Sequence, residues 1–475
     1  MFKNILIFMN VLFMYYIFIY SIIFFISTIY SIINMNNYIV KRRFKNIIKI
    51  EKDKNYMPIS VIVPAYNEEK TIINCIKSLK KLDYPIFEII IVNDGSKDDT
   101  KKRIIEEFNL KKIERPIRRV VNCKDPIDIY ESEGGTKITL VNKDNGGKAD
   151  ALNLGINISK YPYFVSLDAD SMLQENSLKN IMEPIIEDDR TIAVGGNIKG
   201  SNSAIIEDGK VKKLKTPRKF IVIFQFIEYY RVFLVNRILF NRFNGNLIIS
   251  GAFGLFKKQA VINVGGYSLG SIGEDMDLIV KLHSFYRKNR VDYKVQYAPN
   301  AICWSEVPER YKDLKNQRKR WHIGLIQSLL SHKYIFLNIK YGIVGLFSFI
   351  YYVIYEMLSC VIEVIGLVVM VLSYSIGIIN WDFFKTFMFM YITYSFILST
   401  ASIILEGYMF KDIVKIRTII KLIIFSFFES FGYRQLCSFY RIMGIISYKR
   451  RKFEWEKIQR IDYLNESKNL NSDVI

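Results

Sequence analysis

Hydrophobic and polar positions alternate with three different rhythms along the chain. From Ile5 to Ile33, 29 residues pass without a charge. A helix needs roughly 20 apolar residues to cross a bilayer, so this stretch predicts a spanning anchor over residues 1–36. It is too long for a signal-peptide core and lacks a clear small-residue cleavage site, which predicts that the anchor is retained.

The second rhythm runs from about Pro58 to Asn338, where short apolar runs alternate with helix-like patterns, as in an α/β domain. Residues 59–66 (ISVIVPAY), 87–96 (FEIIIVNDGS), 137–142 (KITLVN) and 163–170 (YFVSLDAD) read as buried strands, with a helix from about Glu68 to Leu82. Polar residues follow the end of each run, and in doubly wound sheets that edge binds ligands. Two charged stretches, about 111–135 and 200–219, read as surface loops or insertions. Phe220 to Phe243 mixes aromatics with Arg231, Arg237 and Arg242, which suits either a helix lying on a membrane interface or a core helix with a solvated face.

The third rhythm is apolar again. Gly342–Ile379 predicts one long span and Thr386–Leu405 another. Thr418–Ser447 is broken by Lys421, Glu429, Arg434 and Arg441, and its pattern fits two short spans or a re-entrant or interfacial helical pair. Glu356 and Glu363, seven residues apart, are expected on the protein side of their span, because ionisable groups at membrane depth turn inward. The domain reading is therefore an anchor at 1–36, an α/β domain at 55–338, transmembrane helices at 339–448 and a basic tail at 449–475.

Composition agrees with lipid contact: the chain is 50% hydrophobic, with 34 Phe and 31 Tyr. Its formal charge of +21 does not call for nucleic acid. Lys41, Arg42, Arg43, Lys45, Lys49, Lys52 and Lys54 follow the anchor directly, and basic residues recur at Lys411–Arg417 and Lys449–Lys452. Such flanks mark the cytoplasmic side. Five widely spaced cysteines and three histidines indicate neither a disulfide framework nor a zinc site, so a catalytic metal would need oxygen ligands.

Candidate chemistry lies at the ends of the strand runs. Asp168 and Asp170 form a DxD pair able to hold Mg2+ or Mn2+ against phosphate oxygens, although alone the pair is a weak signal. Asn93-Asp94-Gly95-Ser96 ends a second strand. Asp144-Asn145-Gly146-Gly147-Lys148-Ala149-Asp150 follows a third, where carboxylates can accept from a base or ribose and glycines admit a ligand close to the backbone. GGKA lacks the spacing of a Walker loop. Each motif taken singly is also an ordinary turn before a helix.

With Ser250-Gly251-Ala252-Phe253-Gly254, Gly273-Glu274-Asp275-Met276-Asp277, Cys303-Trp304-Ser305-Glu306-Val307-Pro308 and Gln317-Arg318-Lys319-Arg320-Trp321 added, the chain resembles the family 2 inverting glycosyltransferases. The likeness is to the processive membrane synthases of poly-N-acetylglucosamine, hyaluronan and cellulose, and runs from about Ile59 to Leu325. It implies a cytoplasmic GT-A (Rossmann-like) domain between transmembrane helices. It further implies a nucleotide-sugar site at Asp94, Lys148, Asp150 and Asp168, a metal at Asp170, a general base at Asp275 beside Glu274, and Gln317, Arg320 and Trp321 closing over diphosphate and acceptor. Expected partners are a UDP-sugar, a polysaccharide acceptor, the bilayer and accessory secretion subunits, with Mg2+ or Mn2+ as cofactor. Two departures stand out: Asn93 replaces the first Asp of the usual DDGS, and Gly273 replaces Thr. The sugar leans by resemblance to N-acetylglucosamine. A transferase of single sugars and a silent nucleotide-sugar sensor are the competing readings; QRKRW opposes the first, and Asp170 with Asp275 opposes the second.

Overall fold

The computed structural model describes residues 1–47, 56–207, 210–410 and 414–449. The basic positions Lys49, Lys52, Lys54 and Lys411, and the tail beyond Lys449, lie outside the described residues.

Helix α1 (Phe2–Ile47) leads into an α/β domain. Its first half contains β1 (Ile59–Ala65), α2 (Ile72–Lys80), β2 (Phe87–Asp94), α3 (Thr100–Phe108), β3 (Lys111–Ile113), β4 (Pro126–Glu131), β5 (Ile138–Lys143), α4 (Lys148–Ile158) and β6 (Tyr163–Leu167). The second half adds β7 (Ser171–Leu173), α5 (Ser177–Glu187), β8 (Thr191–Gly200), a hairpin of β9 (Ala204–Glu207) and β10 (Lys210–Leu214), and helices α6 (Phe220–Arg231) and α7 (Arg237–Arg242). It closes with β11 (Phe253–Lys257), α8 (Lys258–Asn263), α9 (Glu274–Lys288), β12 (Lys294–Ser305) and α10 (Tyr311–Ser331).

Ten strands form one mixed sheet in the order β3-β4-β5-β2-β1-β6-β11-β8-β12-β7. The central strands β5, β2, β1 and β6 are parallel, with Ile62 opposite Ile90 on one side and Ser166 on the other. Their apolar residues divide by parity. Val61, Val63, Ile89, Ile91 and Leu140 enter the core under α2 and α5, while Ile62, Ile90, Val92 and Val141 enter the core under α4 and α9. Burying each such side chain contributes about 1.5–3 kcal/mol, and a one-residue slip would reverse every face, so the register is strongly set. The chain lays β2 and β5 on one side of β1 and returns to place β6 on the other. That reversal opens a crevice at the carboxyl ends of β1 and β6.

The stretches expected as loops at 111–135 and 200–219 hold structure instead. β4 pairs antiparallel with β5 and β3 antiparallel with β4, extending the sheet, and β9 pairs with β10 in a separate hairpin. Their polar residues suit edge strands with one wet face, which apolar patterning alone does not reveal. Between Phe220 and Phe243 the core-helix reading holds: Ile223, Gln225, Phe226, Ile227 and Leu234 are fully buried. A π-helical turn at Val232–Asn236 joins α6 to α7.

Beyond α10 come π-helical turns at Val344–Ser348 and Tyr352–Met357 around the short α11 (Phe349–Tyr351), then α12 (Ser359–Ser375), α13 (Trp381–Met409), α14 (Ile416–Phe428) and α15 (Tyr433–Lys449). Among the described residues, two helices are long and apolar enough to cross a membrane, Phe2–Met35 and Phe384–Met409. The expected single span at Gly342–Ile379 is a pair, Val344–Met357 and Ser359–Ser375, bent by 51°. Wide π turns beside the bend account for it. Thr418–Ser447 is a helical pair turning at Gly432, whose φ of 96° suits glycine. At 13 and 17 residues neither helix reaches the length of a span. α15 lies along α10, close enough that a Cβ at Gly444 would sit 3.1 Å from the Lys319 carbonyl oxygen. Helix α1 packs on the later helices through polar contacts as well as apolar ones: Asn10 donates to Ser373 Oγ at 2.6 Å, and Tyr394 donates to the Ser21 carbonyl.

Candidate active site

The carboxyl ends of β1, β2 and β6 open into a cavity of about 1570 Å³. Asp94, Lys148, Asp168, Asp170, Glu274, Asp275, Gln317, Arg320 and Trp321 all line it. They come from separate elements: Asp94 ends β2, Asp168 and Asp170 follow β6, Lys148 opens α4, Glu274 and Asp275 open α9, and the last three lie on α10.

The Asp94 carboxylate is largely engaged within the protein. Oδ1 accepts from Lys143 Nζ and from the Gly146 N–H at 2.9 Å, and Oδ2 accepts from the Gly147 N–H at 2.8 Å. Asp94 thereby shapes the GG turn as well as facing the cavity. Asp150, expected beside the nucleotide, is set back instead. It is buried, 2.7 Å from Lys143 Nζ, and accepts from the Lys124 N–H. The reason is packing: a Cβ at Gly146 would meet Asp150 Cγ at 2.7 Å, so the turn lies directly on this carboxylate.

Lys148 joins two of the site's carboxylates, with Nζ 2.5 Å from Asp168 Oδ1 and 3.2 Å from Glu274 Oε1. Burial alone would depress the Lys148 pKa, but Asp168 and then Glu274 outweigh it and hold it above the usual lysine range. Burial pushes the Glu274 carboxyl upward, opposed by Lys148. Gly251 lets these groups meet, since a Cβ there would lie 2.8 Å from Lys148 Nζ. Asp275 sits in the first turn of α9. Its Oδ2 accepts from the Gly251 N–H at 3.0 Å and its Oδ1 from the Met276 N–H at 2.8 Å. Two backbone donors thus fix the rotamer, while each oxygen keeps a second lone pair.

Two family models match the chain. The model described as "Glycosyl transferase family 2" matches residues 60–265, and that described as "Glycosyl transferase family group 2" matches residues 163–399. Together they span well over half of the chain.

The chain belongs to glycosyl transferase family 2.

Among the curated relatives of this glycosyltransferase is a poly-beta-1,6-N-acetyl-D-glucosamine synthase of Staphylococcus epidermidis, 30% identical over 295 residues, covering 62% of this chain and 61% of the relative. The synthase of the same name from Staphylococcus aureus (strain COL) is 32% identical over 274 residues, covering 57% of this chain and 55% of the relative. The match thus takes in little more than half the length of each relative. In fold, this glycosyltransferase is similar to a mannosyltransferase from Pyrobaculum calidifontis solved with GDP-Man and Mn2+. The TM-score is 0.53 at 16% identity, over 95% of this chain and 100% of the other.

Several residues in or behind the cavity of the glycosyltransferase carry no sequence signal of their own. Tyr66, just after β1, is 41% exposed on the cavity wall. Lys143 is fully buried at the end of an apolar strand, where only its position beside Asp144 hinted at the turn. Glu228, Tyr352, Glu356 and Arg441 line the end nearest the C-terminal helices. Glu363 lies one helix further on and accepts from Ser438 Oγ of α15, so one glutamate of this region faces the cavity and the other faces protein.

Proposed function

We propose that the protein is a membrane-embedded, inverting glycosyltransferase that extends a polysaccharide at the cytoplasmic face of a membrane, with UDP-N-acetylglucosamine as donor. The observation that carries this is the meeting of carboxylates, a lysine and the α10 motif in one cavity bordered by the bent helix pair. Relatives named poly-beta-1,6-N-acetyl-D-glucosamine synthase support the sugar and the polymer.

On this reading Tyr66 and Asp94 form the wall for the base, an exposed ring offering a stacking face beside a carboxylate edge. Lys148 faces the diphosphate. A divalent cation fits the donor set. Among the described residues no cluster of three or more His, Cys, Asp or Glu is arranged to hold a metal, but Mg2+ is commonly held by one or two carboxylates together with substrate phosphates. Asp170, with Asp168 beside it, supplies that carboxylate share at the cavity wall. When bound, the cation offsets the charge that develops on the departing diphosphate.

Asp275 is the base. As the acceptor hydroxyl oxygen forms its bond to the anomeric carbon, the bond from that carbon to the diphosphate oxygen breaks and the hydroxyl proton passes to the Asp275 carboxylate. A single displacement inverts the anomeric centre. Glu274 stays paired with Lys148, and Gln317, Arg320 and Trp321 close the acceptor side.

The test is direct. Purified full-length protein in detergent or lipid is incubated with Mn2+ and each of UDP-N-acetylglucosamine, UDP-glucose and UDP-glucuronate, and products are sized. A polymer formed from the first donor is expected. A single-sugar product on a lipid or short acceptor would overturn processivity, and UDP binding without any transfer would favour the silent sensor.

A further inference from the structure

One ion pair at the acceptor end of the cavity, between a buried arginine and a partly buried glutamate, takes no part in the steps above. Arg318 of α10 donates to both carboxylate oxygens of Glu228 of α6, Nη1 to Oε1 and Nη2 to Oε2, each at 2.7 Å. Tyr433 of α15 donates to Glu228 Oε2 at 3.1 Å, and Arg318 Nη2 lies 3.4 Å from the Tyr433 hydroxyl oxygen. These groups hydrogen-bond to one another across three helices and not to the carboxylates of the donor side. Removing such ions from water is costly, and only a well-aligned fork offsets it.

What the pair touches gives it a use. Arg318 and Trp321 are one turn apart on α10 and share a face. The guanidinium carbon lies 4.8 Å from the centre of the Trp321 ring. Arg318 is 2% exposed, whereas Trp321 is 43% exposed and lines the cavity. A planar cation held rigidly on one face of an indole fixes its tilt, a role an ammonium fills poorly. The cavity side of the ring remains open.

We propose that Glu228 and Arg318, braced by Tyr433, are positioning residues that hold the Trp321 ring as the seat for the terminal sugar of the growing chain. This rests on the reading of the cavity as a sugar-transfer site. Through Tyr433 the seat is tied to α15, so the C-terminal helical pair contributes to acceptor binding without touching the acceptor.

The experiment compares full-length wild type with Arg318→Lys, Glu228→Gln and the milder Tyr433→Phe. UDP affinity with Mn2+, KM for an N-acetylglucosamine oligosaccharide, product length, unfolding temperature and tryptophan emission are measured, with Trp321→Phe identifying the contribution of that ring. Arg318→Lys is expected to keep UDP affinity within about twofold while raising acceptor KM by about tenfold. Shorter products and a shifted Trp321 emission should accompany this, with Tyr433→Phe following in smaller measure. Wild-type acceptor KM and product length in all three variants would overturn the proposal. So would a joint loss of UDP affinity, acceptor KM and unfolding temperature, the mark of a merely structural pair. Should wild type turn over no UDP-sugar, the transfer reading fails instead, and oligosaccharide-induced emission changes that are equal in wild type and Arg318→Lys would then also overturn the positioning role.

Discussion

Gly273 and Gly324 touch backbone to backbone. A Cβ at Gly273 would lie 2.8 Å from the Gly324 carbonyl oxygen, and a Cβ at Gly324 would lie 2.8 Å from the Gly273 Cα. The first opens α9 just before Glu274 and Asp275, and the second follows Trp321 on α10. This explains the departure at Gly273, because a threonine there would collide with main chain that has no flexible end to move. Gly273→Thr is therefore expected to lower stability by about 1–3 kcal/mol, the range for overpacking. Thermal unfolding of the purified variant checks it, and an unchanged midpoint would show that α10 can withdraw.

Asp275 and Asp170 should separate in their effects. Asp275→Asn keeps the shape but not the proton acceptor, so turnover should fall by about 10²–10⁴-fold while Mn2+-dependent UDP binding survives. Asp170→Asn should weaken that binding as well, because the cation links carboxylate to diphosphate. UDP titrations with and without Mn2+ alongside turnover make the distinction; near-normal turnover in Asp275→Asn would end the assignment of the base.

Lys143 lies 2.7 Å from Asp150, also donates to Asp94, and has no exposed side-chain surface. Removing the cation leaves two buried carboxylates facing each other, a loss of about 3–5 kcal/mol for a broken buried pair. Lys143→Met should unfold at lower temperature and bind UDP more weakly, since the GG turn rests on Asp94. If UDP affinity held while stability fell, Lys143 would be structural alone.

Glu356 lines the cavity and Glu363 is bonded to Ser438. If the product leaves along this side of the bent pair, replacing both with Leu should reduce synthesis and retain product on the enzyme. Wild-type synthesis and release in the double variant would remove them from the polymer path.

Orientation can be read by labelling. Glu133 is exposed near the β4–β5 turn, and four of the five cysteines are buried. A Glu133→Cys protein should resist an impermeant thiol reagent in intact cells and react after permeabilisation. Reaction in intact cells would place the catalytic domain outside.

Several features needed no coordinates. Runs such as 59–66 and 87–96 announce strands through length and β-branched content, and the motif residues after them announce the edge that opens into the cavity, because strand ends in such sheets converge. The 29-residue apolar stretch announces a long apolar helix, long enough to cross a membrane. Sequence alone did not show that polar stretches such as 126–131 join the sheet, since half-wet strands near its margin are recognised by their partners rather than by their pattern. Nor did it show the 51° bend that divides an apparently continuous span.

The one-dimensional pattern determined which chemistry is present: carboxylates at strand ends, the lysine after GG and the α10 motif, each carried by local spacing. Tertiary structure decided which of those groups reach the cavity. Asp150 turns inward to Lys143 while Asp94 spans both roles, and Arg318, an unmarked position inside QRKRW, finds Glu228 from ninety residues earlier. Such pairings depend on how helices cross in space, which local spacing does not encode, and a buried charge is stable only where the fold delivers its partner.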